Sequence, residues 1–169
     1  SSTEFTITRF LVPHLNKFAG WAVFCDCDMV WRCNPNELFD QVDDSKAVMV
    51  VKHEYNVAQG TKMDGQAQLP YPRKNWSSMI LWNCSHPKNK ALDLQTVNTA
   101  SPSFLHRFEW LDDTDIGTLN HSWNWLVGWY DVERDGDPKI IHYTEGGPWF
   151  EETRHCEFGH IWKQELINL

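Results

Sequence analysis

Apolar positions along this chain recur at helical spacing in some segments and form short continuous runs in others. Over residues 3–18, Ile7, Leu11, His14, Leu15 and Phe18 fall on one face at helical spacing, with Phe10 beside them, which predicts a helix. Pro13 inside it predicts a kink or a split, and Ala19-Gly20 ends it. Trp21 to Cys25 is apolar on both faces, the mark of a central buried strand. Pro35 stands where a first helical turn accepts it, and Asn36 to Phe39 continues a short helix. Further strands are predicted at Ala47–Lys52, Ser77–Trp82 and Lys139–Tyr143. Residues 88–108 read as short helices broken at Ser101-Pro102. From His155 onward, Phe158, Ile161, Trp162, Leu166 and Leu169 mark an amphipathic C-terminal helix. His53–Lys74 is polar and rich in Gly and Pro, a loop long enough that a small domain would keep it for function or leave it disordered. Strand, helix and strand in alternation predict an α/β fold with a mostly parallel core sheet flanked by helices. No internal repeat or low-complexity segment interrupts the pattern.

Composition narrows the class. The 169 residues are one domain's length, or a piece of a larger one, and are treated as a single domain, 1–169. Fifteen Lys and Arg against 23 Asp and Glu give a formal charge of −8, which argues against a broad binder of nucleic-acid phosphates. No apolar run approaches the roughly 18 residues of a membrane span. Ser1-Ser2-Thr3-Glu4 lacks the basic-then-apolar pattern of a signal peptide. A soluble, cytoplasmic, acidic domain is therefore expected. In that compartment the five Cys are expected to be reduced, and Cys25-x-Cys27 lacks the second half of a zinc site. Three Asn-x-Ser triplets carry no glycosylation meaning without secretion. Ten Trp exceed what a small core needs; Trp76, Trp123, Trp125 and Trp149 are candidate sugar-stacking platforms as well as core residues.

The chemistry concentrates at Asp26-Cys27-Asp28, directly after a buried strand. Ligand-binding groups in open α/β sheets gather at the carboxyl ends of strands. Two carboxylates two residues apart on extended backbone point the same way, repel each other, and are relieved by a divalent cation that prefers hard oxygen ligands, Mn²⁺ or Mg²⁺. His142 closes another predicted strand and leads into Gly146-Gly147-Pro148-Trp149, where glycine lets backbone approach a ligand closely. One imidazole and two carboxylates form a credible Mn²⁺ set.

These segments together resemble the glycogenin-like glycosyltransferases, family eight. The likeness is carried by Leu11-Val12-Pro13, Val23 to Val30 around the D-x-D motif, Pro35 to Phe39, Asn75-Trp76-Ser77-Ser78 with Leu81-Trp82-Asn83, Trp110 to Asp115, Trp123-Asn124, and His142 with Gly146 to Trp149. Their order and approximate spacing agree across nearly the whole chain. The resemblance implies a GT-A fold and transfer of a hexose from a nucleotide diphosphate sugar to a carbohydrate acceptor, with retention of anomeric configuration. It implies metal ligation by Asp26, Asp28 and His142, and contacts to reacting sugars by Asp112 and Asp113. Arg9, Asn75, Ser77, Asn83, Gly146, Gly147 and Trp149 are then expected to line the substrate site. Two departures stand out. The family's Lys before Pro-Trp is Gly147 here, so Arg9, Arg73, Lys74 or Lys139 is expected to supply that charge. The family's N-terminal nucleotide-binding half also precedes the matched region, so a partial GT-A fold is expected, with an exposed sheet edge able to drive homo-oligomerisation.

Two other readings fit part of the sequence. Asp26-Cys27-Asp28-Met29-Val30 matches the nucleophile motif of haloacid-dehalogenase-like phosphatases, with Asp26 as nucleophile and Asp112-Asp113 as a magnesium-binding pair. A non-catalytic carbohydrate-binding remnant accounts for the Trp content.

Overall fold

The structure, a computed structural model, describes residues 4–54, 73 and 75–169. Among the described residues the strands are β1 (Trp21–Cys25), β2 (Met29–Trp31), β3 (Val48–Val51), β4 (Met79–Asn83), β5 (Ile116–Leu119), β6 (Trp125–Leu126) and β7 (Ile140–His142). The α-helices are short: α1 (Glu4–Thr8), α2 (Val12–Leu15), α3 (Asn36–Phe39), α4 (Leu94–Thr99), α5 (Pro102–His106), α6 (Val132–Asp135) and α7 (Gly159–Ile167). None is long and apolar enough to cross a membrane. The fold is α/β. Contacts divide the chain into two compact units, Ser1–Phe24 with Asp43–Thr118, and Cys25–Val42 with Leu119–Leu169.

The first unit is built on a four-stranded sheet of order β1-β4-β3-β5. The expected N-terminal helix is split into α1, a 3₁₀ turn at Arg9–Leu11, and α2, with Pro13 in the first turn of α2. There its missing N–H costs no hydrogen bond. Ser101 caps α5 through its hydroxyl, which accepts from the Phe104 amide at 3.1 Å, and Pro102 follows at the first helical turn. The core packs Phe10, Val48, Val50, Ile80, Trp82, Leu92, Leu105 and Phe108, all fully buried. Phe10 meets Trp82, Phe108 and Trp110 edge-on at 6.1–6.3 Å. Each such side chain contributes about 1.5–3 kcal/mol on burial. Asn89 ties this core to the backbone. Its amide donates to Ala47 and Asn83 carbonyls, both at 2.8 Å, and its oxygen accepts from Trp110 Nε1 at 3.2 Å.

The second unit carries a three-stranded sheet of order β2-β7-β6. β2 runs antiparallel to β7, with Met29 opposite His142 and Trp31 opposite Ile140. β6 runs parallel to β7, with Leu126 opposite His142. Trp125 fills the core beside Tyr130, His121 and Phe158, at 5.2, 5.9 and 6.4 Å between ring centres. Tyr143 is buried and donates from its hydroxyl to the Phe158 carbonyl at 2.8 Å; burial pushes its phenol up to about 12.

Both sheets belong to an α/β fold with mixed pairing: β3–β4 and β2–β7 are antiparallel and β6–β7 is parallel. A strand buried on both faces reads as continuously apolar whichever way its neighbour runs, so the run of apolar residues does not encode direction. The C-terminal helix begins at Gly159, and only Ile161 and Trp162 are half-buried; Leu166, Ile167 and Leu169 are exposed. Most of the expected His53–Lys74 loop, residues 55–72 and 74, lies outside the described residues.

Candidate metal centre

Asp26 directly follows β1, and the next two residues turn the chain into β2. The two carboxylates therefore converge through a tight turn, not through the two-residue period of extended backbone. β2 then pairs with β7, and the Asp28 carbonyl accepts from the Tyr143 amide at 3.0 Å. This register sets Asp28 beside His142. Ligand atoms of Asp26, Asp28 and His142 all lie within 4.8 Å of one another. His142 Nε2 lies 3.3 Å from Asp28 Oδ1.

The donor set suits a hard-to-borderline divalent ion. At metal–oxygen distances of about 2.0–2.1 Å, opposite ligands of an octahedral ion stand about 4.1 Å apart, so a spread of 4.8 Å needs only a small inward rotation of a carboxylate. One imidazole nitrogen among carboxylate oxygens favours Mn²⁺ over Ca²⁺.

A residue without a predicted role completes the arrangement. Asn124 closes a 3₁₀ turn (His121–Asn124) just before β6, and parallel pairing of β6 with β7 brings it to the buried side of His142. His142 Nδ1 lies 2.9 Å from Asn124 Oδ1, and both side chains are buried. An amide oxygen only accepts, so this contact suits the ring form with its hydrogen on Nδ1 and the lone pair of Nε2 toward Asp28. Sequence supplied Trp123-Asn124 only as part of a resemblance; the signal for its role is the pairing of β7 with β6, a strand of two residues that no local pattern reveals.

In the same unit, Gly146 has φ +113, a conformation open to glycine and strained for other residues. A Cβ built on buried Gly147 would fall 2.1 Å from Trp149 Cζ3 and 2.2 Å from Cη2. The indole of Trp149 therefore occupies the space that a lysine at 147 would enter. Trp149 packs against Tyr143, Phe150 and Trp162 at 5.8, 6.0 and 5.4 Å, while it and Phe150 keep exposed faces. Trp123 and Trp125, by contrast, are core residues.

The remaining candidates lie in the first unit. Asp112 pairs with Lys88 at 2.7 Å and Asp113 with Arg73 at 2.5 Å. Lys88 also holds Asp115 at 2.6 Å, keeping that carboxyl below its ordinary range. Arg9 is buried; it donates to the Thr6 and Ser77 carbonyls at 2.9 and 2.7 Å and covers the Phe24 ring. It is therefore part of the fold's interior rather than an open cation. Of the other described replacement charges, Arg73 is paired with Asp113 and Lys139 with Glu37 at 2.6 Å. Ser77 Oγ is 2.8 Å from His106 Nδ1, and burial, with Arg9 adding to it, pushes His106 down. Asn75 takes a left-handed backbone, φ +61, at the start of the 3₁₀ turn Trp76–Ser78, and its carbonyl accepts from Ser78 Oγ at 2.7 Å. Asn83 is buried; its amide donates to Lys46 and Asp44 carbonyls at 2.9 and 3.3 Å, and its oxygen accepts from Ser85 at 2.9 Å. Both donors that were expected to meet a sugar are taken by the backbone. Hydroxyl-binding patterns and β-turn anchoring use the same residue types, so sequence does not separate them.

No protein-family model matches the chain. Protein CDI of Arabidopsis thaliana is 51% identical over 168 residues, covering 98% of this chain. The chain spans 65% of that relative's length. Among solved structures, the bifunctional glycosyltransferase WbbM superposes with a TM-score of 0.54 at 19% identity, over 95% of this chain and 35% of its own. The glycosyltransferase GlyE of Streptococcus pneumoniae TIGR4 gives 0.59 at 14% identity, over 97% and 43%; its apo form gives 0.60 at 13% identity. The chain thus has the fold of part of these glycosyltransferases.

Proposed function

We propose that this chain is the metal-binding portion of a glycosyltransferase that moves a hexose from a nucleotide diphosphate sugar to a carbohydrate acceptor, with Mn²⁺ or Mg²⁺ as cofactor. The observation that carries the reading is the convergence of Asp26, Asp28 and His142 in a single sheet register, on a fold that glycosyltransferases share.

Breaking the anomeric C–O bond leaves negative charge on a diphosphate. A divalent cation bound at these residues supplies Lewis-acid neutralisation of that charge. Asp26 and Asp28 contribute two negative charges that hold such a cation, and His142 contributes a neutral nitrogen through Nε2. Gly146, free to adopt positive φ, turns the chain sharply after β7 and sets Trp149 and Phe150 with exposed ring faces. Such faces suit the C–H surface of a pyranose. Asp112 and Asp113, in this reading, accept hydrogen bonds from sugar hydroxyls with oxygens that Lys88 and Arg73 leave open. Within the second unit, each of Arg32, Arg134, Lys139, Arg154 and Lys163 is bonded to a protein acceptor. The leaving charge would therefore depend on the metal more than on a lysine.

The test is calorimetric titration of the full-length protein with nucleoside diphosphates, with and without Mn²⁺. Binding that needs Mn²⁺ and is lost in Asp28→Ala is expected. Binding indifferent to chelator and to Asp28→Ala would overturn the proposal.

A further inference from the structure

We infer that Asn124 is a positioning residue that selects the metal-competent tautomer of His142; this rests on the metal reading above and extends it beyond the three ligands. Neutral imidazole has one N–H and one lone pair, and which nitrogen holds which is set by the partner of the other nitrogen. In this fold Nε2 faces Asp28 Oδ1 at 3.3 Å. Left to that contact alone, the ring would place its hydrogen on Nε2 and donate it to the carboxylate. That arrangement closes the site, because a protonated Nε2 has no lone pair to give a cation. Asn124 opposes it from the other side. Its oxygen, 2.9 Å from Nδ1, holds the hydrogen there and leaves Nε2 as the ligand atom.

The placement is not accidental to one side chain. The 3₁₀ turn His121–Asn124 is hydrogen-bonded to the start of β7 through the Lys139 amide and the Ser122 carbonyl at 2.9 Å, and the His142 carbonyl accepts from Val127 at 3.0 Å. Backbone bonds on both flanks thus fix the distance between Asn124 and His142. Burial of both side chains excludes water as a substitute acceptor for Nδ1.

The experiment has two arms that fail separately. In the first, ¹⁵N NMR of the metal-free protein reads the tautomer of the neutral His142 ring, its signal assigned by its loss in His142→Gln. Wild type is expected to carry the hydrogen on Nδ1, Asn124→Leu to carry it on Nε2, and Asn124→Asp, which keeps an acceptor oxygen, to resemble wild type. In the second, electron paramagnetic resonance titrates free Mn²⁺. Asn124→Leu is expected to weaken binding about 10–100-fold, and Asn124→Asp to restore it. Thermal unfolding checks that each variant is folded; if Asn124→Leu is not, the wild-type tautomer and Asn124→Asp still decide. A wild-type ring protonated at Nε2, or Asn124→Leu binding Mn²⁺ as wild type does, would overturn the inference. If wild type binds no Mn²⁺ at all, the metal reading falls while the tautomer arm still judges Asn124.

Discussion

Replacing Gly147 by alanine adds one carbon where an indole already sits. The new Cβ would stand 2.1, 2.2 and 2.6 Å from Cζ3, Cη2 and Cε3 of Trp149. Ordinary carbon–carbon contact is about 3.5–4.0 Å, so the ring must retreat by more than an ångström. It is not free to do so cheaply, because Tyr143, Phe150 and Trp162 hold it at 5.8, 6.0 and 5.4 Å. Aromatic pairs of this kind contribute about 0.5–1.5 kcal/mol each. Losing two of them puts the cost of Gly147→Ala at about 1–3 kcal/mol, read as a lowered midpoint in urea with unchanged slope. The decisive comparison is a double-mutant cycle with Trp149→Ala. If the clash with the indole is the whole effect, Gly147→Ala in that background is near neutral, within about 0.5 kcal/mol. Equal destabilisation in both backgrounds would refute the reasoning and assign the cost to something other than the indole.

Other outcomes follow from single environments. Gly146→Ala forces a side chain into φ +113 and sets its Cβ 3.1 Å from Thr153 Oγ1; a loss of about 1 kcal/mol or more is expected in the same urea assay. Asn89→Leu removes two donors and one acceptor from a fully buried position, and a cost of about 2–4 kcal/mol is expected, against near neutrality if water replaces the amide. His106 has its proton affinity lowered in the folded state, chiefly by burial and then by Arg9. Below its ordinary value near 6.5 the unfolded chain binds a proton that the folded chain does not, so stability falls as pH drops through that value. Thermal midpoints at pH 7.5 and 5.5 should differ less in His106→Gln than in wild type; an equal difference would assign the acid sensitivity elsewhere.

The sequence makes β1, β3, β4, β7 and α3 legible because each is a compact apolar run or a Pro-led turn. It hides β2, β5 and β6, because β2 follows the acidic turn without a break, β5 is interrupted by Gly117-Thr118, and β6 is two residues long. This matters for the site. Asp26 and Asp28 stand out from their place after β1, and His142 from its place at the end of β7, but Asn124 depends on a strand pairing that no local pattern announces. The amides of Asn83 and the guanidinium of Arg9 look in sequence like ligand-binding groups. In the fold they satisfy carbonyls, since a buried carbonyl left alone is costly. The C-terminal segment is the converse case: Leu166 in α7 and Leu169 beyond it carry the spacing of a buried stripe and stay in solvent.

The pairing of β2 with β7 joins residues 113 positions apart on the chain, Met29 opposite His142. The loops between them can lengthen, shorten or be exchanged over generations without disturbing the acidic turn or the imidazole, provided the two short ribbons still meet and Asn124 and β6 keep their place beside His142. Loss of one residue inside either ribbon is a different matter, because it would swing the ring to the opposite face of the sheet. Such a site has a wide allowance for drift in its connecting chain and almost none in six residues.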